Sequence, residues 1–110
     1  MTKLSYAFVM FFSVCLFATT SAAGDANAGK TIAENSCQTC HGLDGNATMA
    51  MTPHLSGQNI DYLIIQLKNF RDGKRQHEQM SIIAGMLSDD DIENVAEWFS
   101  SIKITLEMPN

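Results

Sequence analysis

Two cysteines separated by two residues and followed at once by a histidine, Cys37-Gln38-Thr39-Cys40-His41, constrain this chain more than any other feature. Cysteines about one helical turn apart present their thiols along one side, and the adjacent imidazole brings a nitrogen ligand to the same place. Three chemistries use parts of this pattern. A redox dithiol explains the cysteines but not the histidine, and it ordinarily needs a βαβ surround that this chain lacks. Structural zinc wants four ligands, so His54 or His77 would have to complete a Cys2His2 set from loops of unusual spacing. The third is c-type haem, in which the two thiols add to two vinyl groups and the imidazole reaches the iron. It uses all three residues and needs no fourth protein ligand of unusual spacing, with Cys37 and Cys40 as attachment points and His41 as an axial ligand.

The rest of the chain agrees with an extracytoplasmic site for that chemistry. Residues 1–23 read as a secretory signal: Lys3 supplies the positive start, residues 4–17 the apolar run, and residues 18–23 a small-residue exit. An apolar run of about 14 residues is short of the roughly 20 that span a bilayer. Cleavage is expected just before Ala23 or Gly24, leaving residues 24–110 as one periplasmic domain that does not span the membrane. Cys15 lacks the small residue expected just before a lipid-modified cysteine. Losing Lys3 takes the formal net charge from -5 to -6, the wrong sign for a protein that neutralises phosphates, so nucleic acid is excluded as a partner. A disulfide between Cys37 and Cys40 would close too small a loop to stabilise much. A domain this small often needs an added source of core, and a bound cofactor is the better candidate.

Apolar periodicity predicts three helices and no strand, an all-α class. Gly29, Ile32, Ala33 and Cys37 recur at helical spacing after Asp25, a good N-cap, over about residues 25–37. Ile60, Leu63, Ile64, Leu67 and Phe70 follow the i, i+3, i+4, i+7 rule, with Asn59 as cap and Gly73 just past the end. Ser88 can cap the amide of Asp91 at the start of a last helix whose core face is Ile92, Val95, Ala96, Phe99 and Ile102, with Trp98 flanking. Residues 42–58 hold Gly42, Gly45, Pro53 and Gly57 and read as loop, which in a compact domain implies that they wrap something.

The sixth iron ligand separates a carrier from a ligand-binding site, and a methionine thioether would fill it and raise the potential. Met108 lies beyond the last helix, and Met49 and Met51 follow His41 so closely that they belong on its side of the ring. Met80 and Met86 remain, and residue chemistry leaves them nearly even: Met86 has a simple reading as core next to Leu87, and core filling is what most methionines do. His54 and His77 could give bis-histidine ligation, but each reads first as a surface or hydrogen-bonding histidine.

Cys37 to His41 with Gly42, Asp44 and Gly45, then residues 53–58 (Pro-His-Leu-Ser-Gly-Gln), Tyr62, Gln66-Leu67, Phe70, Gly73 and Leu87-Ser88-Asp89 through Phe99 resemble small bacterial class I cytochromes c. The sequence is similar to monohaem c-553 carriers and to one half of the dihaem c-four type, over about residues 24–102. The resemblance implies a class I cytochrome c fold, three main helices and loops wrapped around one covalently bound haem. It implies Met80 as sixth ligand, eight residues before the serine of the Leu-Ser-Asp start. It also implies that the Pro53 carbonyl accepts the other ring N–H of His41, and that Gly29 lets the first helix cross closely against Trp98. One departure is that Ser81-Ile82-Ile83 follows Met80 where relatives often carry a proline, so the rigidity of this loop is expected to differ.

These readings describe a soluble periplasmic electron carrier, a monomer or weak dimer, that moves single electrons between redox partner proteins. It has no small-molecule substrate and is not itself an enzyme: nothing supplies a nucleophile with its base, a nucleotide loop or a second metal site. The alternative is a haem c subunit of a larger oxidoreductase, or a haem-based ligand sensor. Lys68, Arg71, Lys74 and Arg75 cluster after the second helix, and Asp89, Asp90, Asp91, Glu93 and Glu97 on the last. Dipole complementarity and solvated faces account for both clusters more simply than a docking code does.

Overall fold

The computed structural model describes residues 23–110; the expected signal segment lies outside these residues except for Ala23. Five helices follow in order: α1 (Ala26–Ser36), α2 (Gln38–His41), α3 (Ile60–Arg71), α4 (Met80–Gly85) and α5 (Asp89–Ser101), and there is no strand among the described residues. The three long helices fall where periodicity places them, and their caps explain their starts. The Asp25 carboxylate accepts from the amides of Asn27 and Ala28, and the Asn59 side chain accepts from Tyr62. Ser88 and Asp91 bond each other's backbone N–H reciprocally, a full capping box at the head of α5.

Ala33 of α1, Leu63 of α3 and Val95, Ala96 and Phe99 of α5 form the buried core, with Ile32, Leu55, Leu67 and Trp98 packed around it. The crossing of α1 over α5 is close because Gly29 has no side chain: a Cβ there would run into the carbonyl oxygen of Asn94 and lie 3.0 Å from the Val95 nitrogen. The close crossing expected of Gly29 is present, and the α5 atoms nearest to it are backbone atoms of Asn94 and Val95. Trp98 stands about one turn further along, with Lys30 Nζ 5.8 Å from its ring centroid. Its indole N–H donates to the Leu43 carbonyl at 2.9 Å and pins the following loop to α5.

Between α2 and α3 the chain has no regular structure, as its glycines and prolines imply. Gly45 turns it back at φ 73°, and its carbonyl accepts from the amides of Leu55 at 2.7 Å and Ser56 at 3.3 Å. A Cβ on Gly45 would sit 2.5 Å from the Ser56 nitrogen, so this closure requires glycine in both conformation and space. The result brings residue 53 back beside residue 41.

The two short helices were not expected. α2 is a single turn in which the His41 amide bonds the Cys37 carbonyl at 3.0 Å. α4 follows the polar stretch 73–79 and is too short to stand alone; it leans on α3. Its end leaves Met86 66% exposed, so Met86 is not core, contrary to its simple sequence reading. The two charge clusters also turn out to face each other: Arg71 at the end of α3 pairs with Asp89 at the head of α5 at 2.7 Å and donates to the Leu87 carbonyl at 3.3 Å.

Candidate functional site

Among the described residues His41 is the only buried polar or charged side chain, at 8% exposure. A buried imidazole must place its ring nitrogens on partners. Nδ1 lies 3.0 Å from the Pro53 carbonyl oxygen, and because a carbonyl only accepts, Nδ1 carries the proton. Nε2 is then the ring nitrogen with a free lone pair, available to the cleft that His41 lines. The Gly45 closure and the α2 turn together create this arrangement.

The cleft encloses a volume of about 100 Å³, and its walls are almost wholly apolar. α3 supplies Leu63, Leu67 and Phe70, α5 supplies Val95, Ala96 and Phe99, and Met80 and Ile83 come from α4. Cys37 stands in this wall and Cys40 beside it, where the cleft opens toward Met51, Thr52 and Ile82. Both cysteines are half-buried and form no disulfide with each other. Before any haem is attached, burial pushes the Cys37 thiol up to about 11, which favours its protonated form at neutral pH. That is the opposite of a redox dithiol, whose reactivity depends on a lowered pKa and a standing thiolate. Among the described residues no three His, Cys, Asp or Glu side chains converge to hold a metal ion, which leaves the zinc reading without a ligand set.

Met80 lines the cleft together with His41, whereas Met86 is absent from its walls. Met49 and Met51 are exposed, with Met51 at the outer rim in a left-handed conformation, φ 63°. The His54 ring accepts from the Ala47 amide at 2.9 Å and serves the loop. Two residues gain significance that periodicity did not assign them. Arg75, placed by sequence in a solvated basic cluster, lies with its guanidinium carbon 4.5 Å from the Phe70 ring centroid, donates to the Gln66 side chain at 3.0 Å, and lines the cleft. His77 stands at the outer mouth. No local signal reveals either, because the turn after Gly73 alone brings residues 75–79 back over α3.

An apolar cleft, an oriented imidazole nitrogen, a thioether on another wall and two thiols at the side suit an apolar cofactor that carries a metal. Of the chemistries the cysteine pattern permits, haem c is the one that this donor set fits. The comparisons agree. The Cytochrome c family is matched over residues 26–103, and the chain belongs to that family. Its cofactor is therefore haem c, covalently bound, and its class is that of electron-transfer proteins.

Cytochrome c4 of Pseudomonas aeruginosa is 41% identical over 87 residues, which are 79% of this chain and 43% of that protein. Cytochrome c-554(548) of Halomonas halodenitrificans is 39% identical over 82 residues, 72% of this chain and 98% of that one. Among solved structures, reduced recombinant cytochrome c4 from Pseudomonas stutzeri superposes with a TM-score of 0.68 at 38% identity, covering 74% of this chain and 47% of its own. The chain thus spans about half the length of the cytochrome c4 relatives but nearly all of the c-554(548) relative.

Proposed function

We propose that this chain is a periplasmic carrier of single electrons between redox proteins, with its haem attached through Cys37 and Cys40 and its iron held between His41 and Met80. When bound, haem c supplies a one-electron iron couple, whose potential a thioether ligand raises. The chain's own residues set the conditions for that couple. Pro53 holds the His41 ring by its Nδ1 proton, which fixes the tautomer, orients Nε2 and raises its basicity. Leu63, Leu67, Phe70, Val95 and Phe99 keep water from the cleft, so little solvent has to reorganise when charge changes there. Arg75 is the cation on the cleft wall and would offset negative charge on a cofactor bound there.

The observation that carries this reading is that one apolar cleft is lined by both the oriented His41 imidazole and Met80. Exposed Met51 and Ile82 at its open side form the surface a partner would meet. Residues 1–23 are the export signal in this proposal. Among the described residues no helix is long and apolar enough to cross a membrane.

The test is the optical spectrum of matured protein, oxidised and reduced, for wild type, Met80→Ala and Met86→Ala. Wild type and Met86→Ala should show low-spin haem with the weak far-red sulfur-to-iron band, and Met80→Ala should lack that band. A band that survives in Met80→Ala and vanishes in Met86→Ala overturns the ligand assignment.

A further inference from the structure

His77 stands three residues before Met80, and its contacts form a closed set. Its Nδ1 accepts from the backbone N–H of Gln79 at 3.2 Å and of Met80 at 3.3 Å. Its own backbone N–H donates to Ser81 Oγ at 3.0 Å, and the Ser81 N–H returns to the His77 carbonyl at 3.0 Å. An Nδ1 that accepts from amides carries no proton, so the ring is the Nε2–H tautomer, the reverse of His41. The ring also packs edge-on against Phe70 of the cleft wall, with centroids 6.5 Å apart.

We propose that His77 is a positioning residue for Met80: by accepting the Met80 N–H, and with Ser81 closing the loop behind it, His77 fixes the backbone that presents the thioether to the cleft. The inference rests on the reading of Met80 as the sulfur ligand. Its physical basis is that the first N–H groups of a helix have no partner within it, and that a six-residue helix cannot hold its own first turn. Gln79, at the N-cap position of α4, makes no side-chain cap. His77 supplies the missing acceptor from outside the helix, and Ser81, next after Met80, accepts the His77 N–H through its Oγ. The ring packing on Phe70 keeps Nδ1 in place, which ties the ligand loop to the end of α3.

The experiment is an optical titration of oxidised holoprotein with imidazole, which competes for the sixth position, together with the far-red band and thermal unfolding of each variant. His77→Phe keeps an aromatic ring against Phe70 and removes the acceptor; His77→Asn restores a short side-chain acceptor. Losing one hydrogen bond should raise imidazole affinity about three- to tenfold in His77→Phe and weaken the band. His77→Asn should stay within about twofold of wild type, because asparagine oxygens accept amides two or three residues on. Unchanged affinity in His77→Phe, with a clear rise in Met80→Ala, overturns the positioning role while leaving the ligand reading intact. An equal rise in the Phe and Asn variants also overturns it, since the acceptor would then be irrelevant. An unaltered spectrum and affinity in Met80→Ala sinks the ligand reading instead. If His77→Phe fails to mature, Ser81→Ala decides: a smaller rise supports the proposal and an unchanged affinity refutes it.

Discussion

Replacing Gly29, Gly73 and Gly85 by alanine, one at a time, should give three different outcomes from one chemical change. At Gly29 the new Cβ runs into the Asn94 carbonyl oxygen of α5 and lies 2.5 Å from its carbon, where ordinary contact begins near 3.4 Å, so α1 must retreat by more than about 1 Å. Overpacking of this kind costs about 1–3 kcal/mol, and a helix backbone cannot rotate aside as a side chain can, which favours the upper end. Alanine returns about 1 kcal/mol of helix propensity, leaving a net loss of about 2 kcal/mol. For a domain of this size that lowers Tm by about 8–16 °C. At Gly73 nothing lies within 4 Å, but φ is 77°, so only the left-handed conformation is penalised, by about 1–2 kcal/mol. Gly85 has neither obstacle, and alanine there should stabilise by up to about 1 kcal/mol. The assay is thermal unfolding of oxidised holoprotein by far-UV circular dichroism, with the visible spectrum confirming equal haem content. A Gly29→Ala protein as stable as wild type would refute the close crossing.

Three further outcomes follow from the charges. Arg75→Gln should lower the reduction potential, because a cation on the cleft wall disfavours the more positive oxidised state; screening of the exposed guanidinium limits the drop to at most about 59 mV, a tenfold step for one electron. Arg75→Lys should recover most of it, and an unchanged potential in the Gln variant would remove Arg75 from this role. The Ser88 amide and hydroxyl hold the Asp91 carboxyl below its usual range, and the Arg71 guanidinium, then Lys68, do the same for Asp89. Both folded pKa values are depressed, so their stabilisation is complete above the unfolded value of about 3.9 and is lost as pH falls through the folded values. Denaturant titrations at pH 7 and pH 3 should therefore show a smaller acid loss for Asp91→Asn than for wild type; equal losses would contradict this. Finally, the net negative charge, -5 for the whole chain and -6 once Lys3 is lost with the signal, predicts that salt slows electron transfer to a basic partner, and rates that stay flat or rise would dismiss electrostatic steering.

Much of the architecture is written in short-range patterns. Asp25, Asn59 and Ser88 cap their helices through bonds spanning two or three residues, and the apolar spacing of α3 and α5 follows from the helical repeat, so both can be read without any partner. The Cys37 to His41 motif is equally local, because one turn of chain carries all three groups. The choice between Met80 and Met86 is different in kind. Both precede the last helix and have the same chemistry; packing of α4 on α3 leaves one on the cleft wall and the other in solvent.

The same holds for Arg71 at the end of α3 and for Arg75 and His77 in the polar stretch that follows, all of which read as surface. In the folded chain one ties α3 to α5, one stacks on Phe70 at the cleft, and one holds the amide of Met80. Local rules name which groups are present and how each helix begins. Which groups face one another depends on how elements distant in sequence are brought together, and the Gly29 crossing and the Gly45 turn control that through backbone contacts that no spacing rule contains.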